Sequence, residues 1–125
     1  MMAGPDNPYV IQQHTTPDGC HWDLMLQRGD CLWTWRMPVS PEQILSTACV
    51  QMERIADHPL RFLSYEGPVQ NHTGQVTIAD RGVFRWLSDQ PEALSTCFHG
   101  TILHGVFTLT RQSGSRWMLV RQNPI

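Results

Sequence analysis

Short runs rich in β-branched and aromatic residues alternate with turn signals along most of the chain. Eight such runs are YVIQQH (9–14), HWDLMLQ (21–27), CLWTWRM (31–37), CVQMERIA (49–56), GQVTIA (74–79), VFRWLS (83–88), GVFTLT (105–110) and RWMLVRQ (116–122). Turn-forming residues separate several of them, as PDG (17–19), RGD (28–30), DRG (80–82) and QSGS (112–115). The pattern predicts about six to eight mainly antiparallel strands.

Two stretches have helical character. SPEQILSTA (40–48) offers Ser40 as an N-cap and Pro41 at the first helical position, and SDQPEALS (88–95) is a weaker second case. The predicted fold class is therefore mainly β: a small single-domain antiparallel β-barrel with one or two short helices. A two-sheet sandwich is the alternative that the pattern leaves open.

Length and composition agree with one domain over residues 1–125, with a core at about 9–121. No apolar run approaches the roughly 20 residues of a membrane span, and the N-terminus lacks a basic segment followed by an apolar one. Four cysteines are scattered without a C-x-x-C pair, which suits a reducing compartment. We therefore expect a cytoplasmic protein with no membrane partner.

The charge balance narrows the possible functions. The net charge is −2, and all nine basic residues are arginine, which excludes lysine nucleophiles, adenylated lysine and P-loop chemistry. A non-specific DNA binder is usually basic, because phosphate neutralisation dominates its affinity. Any contact with nucleic acid must therefore be local, such as a strand end in a pocket.

The segment HTTPDGCHWDL (14–24) places two histidines and an aspartate around a predicted hairpin turn. Because side chains alternate along a strand, His21 and Asp23 share one face, and the hairpin can bring His14 opposite them. Two imidazoles and a carboxylate suit manganese, zinc or ferrous iron. The alternative is that His14 lies in solvent at a strand end and His21 bonds locally.

A second candidate lies in ADHPLRF (56–62), where Pro59 disfavours continuation of the strand. His58 would then lie at a strand end near the mouth of the barrel. There it could protonate a leaving group or hold a phosphate. The alternative is that His58 only forms hydrogen bonds within a turn.

These motifs together resemble the 3′-phosphoesterase domain of bacterial DNA ligase D. The resemblance rests on His14…His21-x-Asp23 followed in order by WTWRMP, DHPL, YEG, GQVTIADRG, LHGVFTL and RWMLVR. It runs from about Tyr9 to Arg121. Single motifs are loose, but their succession is specific.

The resemblance implies a small β-barrel that binds manganese and trims 3′ ends before joining, removing a 3′ ribonucleoside and then the 3′ phosphate. It implies metal ligands at His14, His21 and Asp23 and a catalytic, phosphate-contacting histidine at His58. The expected cofactor is a divalent metal, manganese first and zinc as the alternative. The expected partner is the 3′ end of DNA or of an RNA–DNA primer strand, with a DNA-repair ligase or polymerase as a further partner.

The chain departs from the family pattern in its phosphate clamp. Family residues expected to be arginine, arginine, lysine, glutamate and tyrosine are Met25, Val50, Val39, Ala56 and Phe62 here, and one extra residue separates the two histidines. Each lost hydrogen bond to a charged group contributes roughly 1.5–3 kcal/mol. At ~1.4 kcal/mol per factor of ten, the missing contacts predict a large loss of rate.

Two arginines are candidates to replace part of that clamp. Arg54 shares strand parity with Ala56 and His58, and Arg61 lies close by, so both are predicted phosphate-binding residues. The predicted function is a metal-dependent phosphoesterase acting on nucleic-acid 3′ ends in DNA repair. The alternative is a catalytically weak or inactive metal-binding descendant that serves as a repair-partner binding module. An arginine filling the place of Met25 would favour the enzyme.

Overall fold

The computed structural model describes residues 5–69 and 74–122. Within them the fold is mainly β, as predicted. The strands are β1 (Asn7–Thr16), β2 (Gly19–Arg28), β3 (Cys31–Met37), β4 (Cys49–Pro59), β5 (Gly67–Pro68), β6 (Gln75–Gln90), β7 (Ala93–Gly100), β8 (His104–Ser113) and β9 (Arg116–Arg121). A short helix α1 (Pro41–Ile44) and a 3₁₀ helix (Leu60–Leu63) complete the elements. None of the described helices has the length and apolar character needed to cross a membrane.

Three of the predicted turns join neighbouring strands. Pro17 and Asp18 separate β1 from β2, and the Thr16 hydroxyl accepts a hydrogen bond from the Asp18 amide at 3.2 Å. Gly29 and Gly114, at the β2–β3 and β8–β9 turns, have φ of 64° and 54°. These left-handed values favour glycine, which explains why the turns occur where the sequence predicts them.

The fourth predicted turn, DRG at 80–82, is wrong. These residues lie inside β6, which runs unbroken from Gln75 to Gln90 and joins two runs that the sequence separated. Asp80 is buried there at 3% exposure, because its carboxylate accepts hydrogen bonds from other elements. Because the Asp80 side chain is buried and hydrogen-bonded, the chain continues as a strand here and does not form an exposed turn.

The first predicted helix is confirmed in shortened form, and the second is wrong. Ser40 caps α1 in a reciprocal capping box with Gln43, and the helix ends at Ile44. Residues 88–95 instead form the end of β6, a Pro91–Glu92 turn and the start of β7. Leu94 alternates with the buried residues that follow on β7, so strand pairing overrides the local helical preference.

All strand pairs are antiparallel, in the order β1-β2-β3-β4-β9-β8-β7-β6-β5, and β1 also pairs with β6. The main core lies on one face of this sheet. Its members include Tyr9, Ile11, Leu24, Leu26, Trp35, Phe84, Phe98, Phe107, Trp117 and Leu119.

The opposite face of β1–β4 is called the site face, and Val10, Met25 and Leu32 form a smaller buried cluster on it. The 3₁₀ helix packs on this cluster through Leu60, Phe62 and Leu63. Strand alternation explains the division, since Leu24 and Leu26 face the main core while Met25 between them faces the other way.

A buried group of hydrogen bonds joins β1, β6 and the segment between β7 and β8. The Tyr9 hydroxyl donates to Asp80 Oδ2 at 2.6 Å, and the same carboxylate accepts the amides of Ile102 (2.8 Å) and Leu103 (3.0 Å). Burial, together with Asp80, raises the pKa of Tyr9 above its ordinary value, so the phenol stays protonated and donates. Gly100 leaves room for this hydroxyl, because a Cβ there would lie 1.6 Å from it.

We predict that Tyr9→Phe lowers the free energy of unfolding by about 1–3 kcal/mol, because a buried acceptor of Asp80 loses its donor. Tyr65→Phe is the matched control, since that hydroxyl donates to the Pro68 carbonyl at an exposed position. Urea unfolding followed by tryptophan fluorescence measures both. Equal midpoints for the two variants would contradict a stabilising role of the buried contact.

Candidate metal centre and adjoining pocket

The β1–β2 hairpin brings the three predicted ligand residues together. His14 lies directly opposite His21, and Gln12 lies opposite Asp23, so all four side chains share the site face. His14 Nδ1 is 3.0 Å from His21 Nε2, and His21 Nε2 is 3.7 Å from Asp23 Oδ2. One ligand atom from each of the three residues lies within 4.8 Å of the others.

This arrangement fits a divalent metal ion. The two imidazole nitrogens of His14 and His21 are 3.0 Å apart, a hydrogen-bond distance that is also about the separation of two ligand atoms at right angles in an octahedral site. Imidazole nitrogens with a carboxylate oxygen suit manganese or zinc. The open side of the hairpin leaves room for further ligands from water or substrate.

The surroundings of His21 favour its metal-binding form. Burial lowers the pKa of His21, and the positive potential from Arg36 and from His14 adds to this, against an opposing contribution from Asp23. A neutral imidazole is the form that binds metal. Asp23, 4% exposed, accepts a hydrogen bond from Arg36 Nε at 3.2 Å, which orients its carboxylate.

A glycine next to the cluster leaves space for His14. Gly74 has φ of 126°, and a Cβ there would lie 2.2 Å from the Thr15 carbonyl oxygen and 3.0 Å from His14 Nε2. Any larger residue would therefore press on both the backbone and the imidazole.

His58 lies at the end of β4, opposite Leu32 and on the site face. Its Nδ1 is 2.9 Å from the Ala56 carbonyl oxygen and 3.1 Å from the Thr34 hydroxyl, which itself donates to the Leu32 carbonyl. Because a carbonyl only accepts, Nδ1 carries the proton in the neutral ring. Nε2 is then the acceptor nitrogen of His58.

A pocket of about 490 Å³ joins the two candidate groups. It lies between the site face and the segment that follows β4. Its walls are Gln12, His14, Asp23, Arg36, His58, Pro59, Arg61, Phe62, Tyr65, Pro68, Val69 and Val76. Four of the six predicted site residues therefore line this pocket: His14, Asp23, His58 and Arg61.

The expectation that Arg54 shares a face with His58 is wrong. The β3–β4 register sets Leu32 opposite His58 but Thr34 opposite Ile55, so β4 carries one extra residue between them. Arg54 consequently lies opposite Trp35, with its guanidinium 4.8 Å from that ring and its Nη2 3.0 Å from Asp57. It is not part of the pocket wall.

Sequence reasoning missed Arg36 and Gln12. Arg36 lies opposite Asp23 across the β2–β3 hairpin, so the Arg-Gly-Asp turn and strand alternation were sufficient signals for it. Gln12 is buried and donates from Nε2 to the carbonyls of Phe62 and Tyr65, each at 3.0 Å. That contact holds the pocket wall against β1, and nothing local in the sequence indicated it.

The departures from the family pattern are apolar in the structure. Met25 is 1% exposed within the cluster under the 3₁₀ helix, so its place is filled rather than vacant. Phe62 packs edge-on against His58, with ring centroids 5.4 Å apart. Arg61, whose guanidinium lies 5.1 Å from the Phe62 ring, is the predicted phosphate-binding residue that does line the pocket.

Comparison with known proteins places the chain in a family. The multifunctional non-homologous end joining protein LigD of Mycobacterium bovis is 28% identical to it over 127 residues, which is 96% of this chain and 16% of that protein. The LigD DNA repair proteins of two Mycobacterium tuberculosis strains match with the same identity and coverage. The chain thus spans 16% of the length of these relatives. The family model of the DNA ligase D 3′-phosphoesterase domain matches residues 12–111, and the chain therefore belongs to that family.

Proposed function

We propose that this chain is a manganese-dependent phosphoesterase that acts on 3′ ends of nucleic acid, removing a 3′ phosphate or a 3′ ribonucleotide. One observation carries the proposal. The ligand atoms of His14, His21 and Asp23 lie within 4.8 Å of one another, beside the pocket that also contains His58 and Arg61. Zinc is the alternative ion for the same ligands.

Each residue of the site has a separate role in the proposed reaction. The bound ion would polarise a phosphoryl oxygen and lower the pKa of a coordinated water. Arg36 holds the Asp23 carboxylate in position, and Arg61 offers a guanidinium to the phosphate oxygens. When doubly protonated, His58 would donate its Nε2 proton toward the phosphate, stabilising charge there or protonating the leaving oxygen, while Nδ1 stays bonded to the Ala56 carbonyl.

The relatives support the choice of substrate and partner. Their names describe non-homologous end joining and DNA repair, which handles strand ends. The substrate we propose is the 3′ end of DNA or of an RNA–DNA primer strand, and the proposed partner is a DNA-repair ligase or polymerase. The net charge of −2 suits local contacts at one strand end rather than contacts along a duplex.

We also infer that the sheet closes into the small barrel that the sequence predicts. What supports this is that β1 pairs with β2 on one edge and with β6 on the other. The pairings of β1, β2, β3, β4, β9, β8, β7 and β6 thus form a ring, and β5 is attached to β6.

The packing of Met25 favours a second candidate function. A buried methionine, Met25, stands in an apolar cluster where the family has a polar clamp residue, and a partly buried phenylalanine, Phe62, stands at a second such position in the pocket wall. This supports a catalytically weak or inactive metal-binding descendant that serves as a repair-partner binding module. The two candidates share the metal site and differ in turnover.

His21→Ala is expected to abolish Mn²⁺ binding and hydrolysis together, because it removes one of three ligands. His104→Ala is the control, an exposed histidine on β8 outside the pocket. Titration of free Mn²⁺ by electron paramagnetic resonance gives binding, and release of the 3′ phosphate from a primer-template gives activity. Mn²⁺ binding by the His21 variant as strong as that of the parent would refute the ligand assignment.

His58→Ala is expected to spare Mn²⁺ binding and to lower turnover by about 10²–10⁴-fold, the usual contribution of a positioned acid–base group. The same two assays separate the effects. A loss of Mn²⁺ affinity equal to that of His21→Ala would show that His58 is a metal ligand and not an acid–base group. Undetectable hydrolysis by the parent protein under all metals tested would favour the binding-module candidate.

Met25→Arg tests what the family arginine would do here. We expect it to lower the free energy of unfolding by about 3–5 kcal/mol, because it places a charged guanidinium in a buried apolar cluster. Met25→Leu, the volume-conserving control, should cost under about 1.5 kcal/mol. Urea unfolding measures stability, and the primer-template assay measures whether the added guanidinium raises turnover, as the family pattern predicts.

A further inference from the structure

A row of alternating charges begins on the site face and crosses four neighbouring strands, β2, β3, β4 and β9. Asp23 on β2 lies opposite Arg36 on β3, Arg36 lies opposite Glu53 on β4, and Glu53 lies opposite Arg116 on β9. Directly opposed residues of an antiparallel pair project to the same side. The row therefore begins at the candidate metal ligand Asp23 and leads away from the first pocket.

A second pocket of about 490 Å³ lies along this row. Its walls are Cys20, His21, Arg36, Met37, Pro38, Gln51, Met52, Glu53 and Arg116. Arg36 lines both pockets, and His21 connects the second pocket to the metal ligands. The two cavities thus adjoin the same cluster from different sides.

Two cations line this pocket: Arg36, whose Nε donates to Asp23, and Arg116, which forms no ion pair among the described residues. Arg28, Arg54, Arg85 and Arg111 each form an ion pair with a carboxylate elsewhere, and Arg36 pairs with Asp23. Arg116 is exposed, and among the described residues no carboxylate lies within 4 Å of its guanidinium, although Glu53 is its register partner.

We propose that the second pocket binds the phosphodiester backbone of the strand whose 3′ end occupies the first pocket, with Arg36 and Arg116 as its anion contacts. This inference rests on the proposed function and extends its substrate contacts beyond the terminal phosphate. The chemistry is that of guanidinium forks, which match phosphate oxygens in pairs.

The spacing of the row suits a nucleic-acid strand. Neighbouring strands of a sheet lie about 4.8 Å apart, so Arg36 and Arg116, two strands apart, are separated by about 10 Å at the backbone. A stacked nucleic-acid strand rises about 3.4 Å per nucleotide, so this separation corresponds to about three nucleotides. Glu53 between the two arginines opposes phosphate, and its removal should strengthen binding.

The first experiment measures binding without catalysis. A single-stranded 12-mer with a 5′ fluorophore and a 3′ phosphate is titrated by fluorescence anisotropy, without metal, at several salt concentrations. Arg116→Gln should weaken binding about fivefold, the scale of one exposed ionic contact, and reduce the slope of log affinity against log salt by about 0.7, the value for one phosphate of a single strand. Glu53→Gln should change the affinity in the opposite direction.

The matched control is Arg121→Gln, which removes the same charge from the same strand at a position outside both pockets. Circular dichroism verifies that each variant is folded. If Arg116→Gln and Arg121→Gln weaken binding equally, the effect is one of net charge and the subsite is wrong.

A second experiment locates the strand through a thiol. Cys20 lines the second pocket and Cys49 lies outside it, and both are exposed. Bound 12-mer should slow alkylation of Cys20 by iodoacetamide at least severalfold and leave Cys49 unaffected, as read by peptide mass spectrometry. Unchanged alkylation of Cys20 at saturating 12-mer would overturn the proposal.

The outcomes keep the two proposals apart. If the parent protein hydrolyses the 3′ phosphate but Arg116→Gln binds the 12-mer as Arg121→Gln does, the subsite is wrong and the phosphoesterase proposal remains. Binding that depends on Arg116 and protects Cys20, with no hydrolysis under any metal, would establish the subsite and reject the phosphoesterase.

Discussion

The double pairing of β1 is the constraint on which the rest of the structure depends. β1 pairs with β2 on one side and with β6 on the other, and it supplies Gln12 and His14 to the site face. A slip of one residue in either register would turn those side chains toward the main core. The buried bond from Tyr9 to Asp80, on β1 and β6, opposes such a slip at the point where Ile11 and Gln12 meet an irregularity in the pairing.

The same strand connects the stability of the fold with the geometry of the site. Gln12 holds the segment after β4 by donating to two of its carbonyls, and the 3₁₀ helix in that segment covers Met25 and its apolar neighbours. Burial of this cluster therefore keeps the pocket wall at a set distance from His14 and Asp23. The site face thus carries an apolar cluster on one part and charged side chains on the neighbouring part.

What the sequence predicted well was local, and what it missed depended on distant strands. The hairpin at Pro17–Gly19 follows from residues adjacent in the chain, so the grouping of His14, His21 and Asp23 could be anticipated by counting along two strands. The extra residue in β4 arises from its pairing with β3, and parity counting from Arg54 to His58 failed there. The missed strand β7 and the misplaced helix at 88–95 have the same origin, since both depend on pairing with β6 and β8.

The charge pattern of the chain limits where the proposed phosphate contacts can lie. A protein with net charge −2 has no general attraction for phosphate, so the contacts must come from a few well-placed groups. Most ion pairs on this chain neutralise arginines far from the site, such as Arg85 with Asp6 and Arg111 with Glu92. Arg61 and Arg116 belong to no such pair among the described residues, and each lines a pocket that adjoins the histidine cluster. Under the proposed function, a strand end held near the histidine cluster would therefore also meet the guanidinium groups of Arg61 and Arg116.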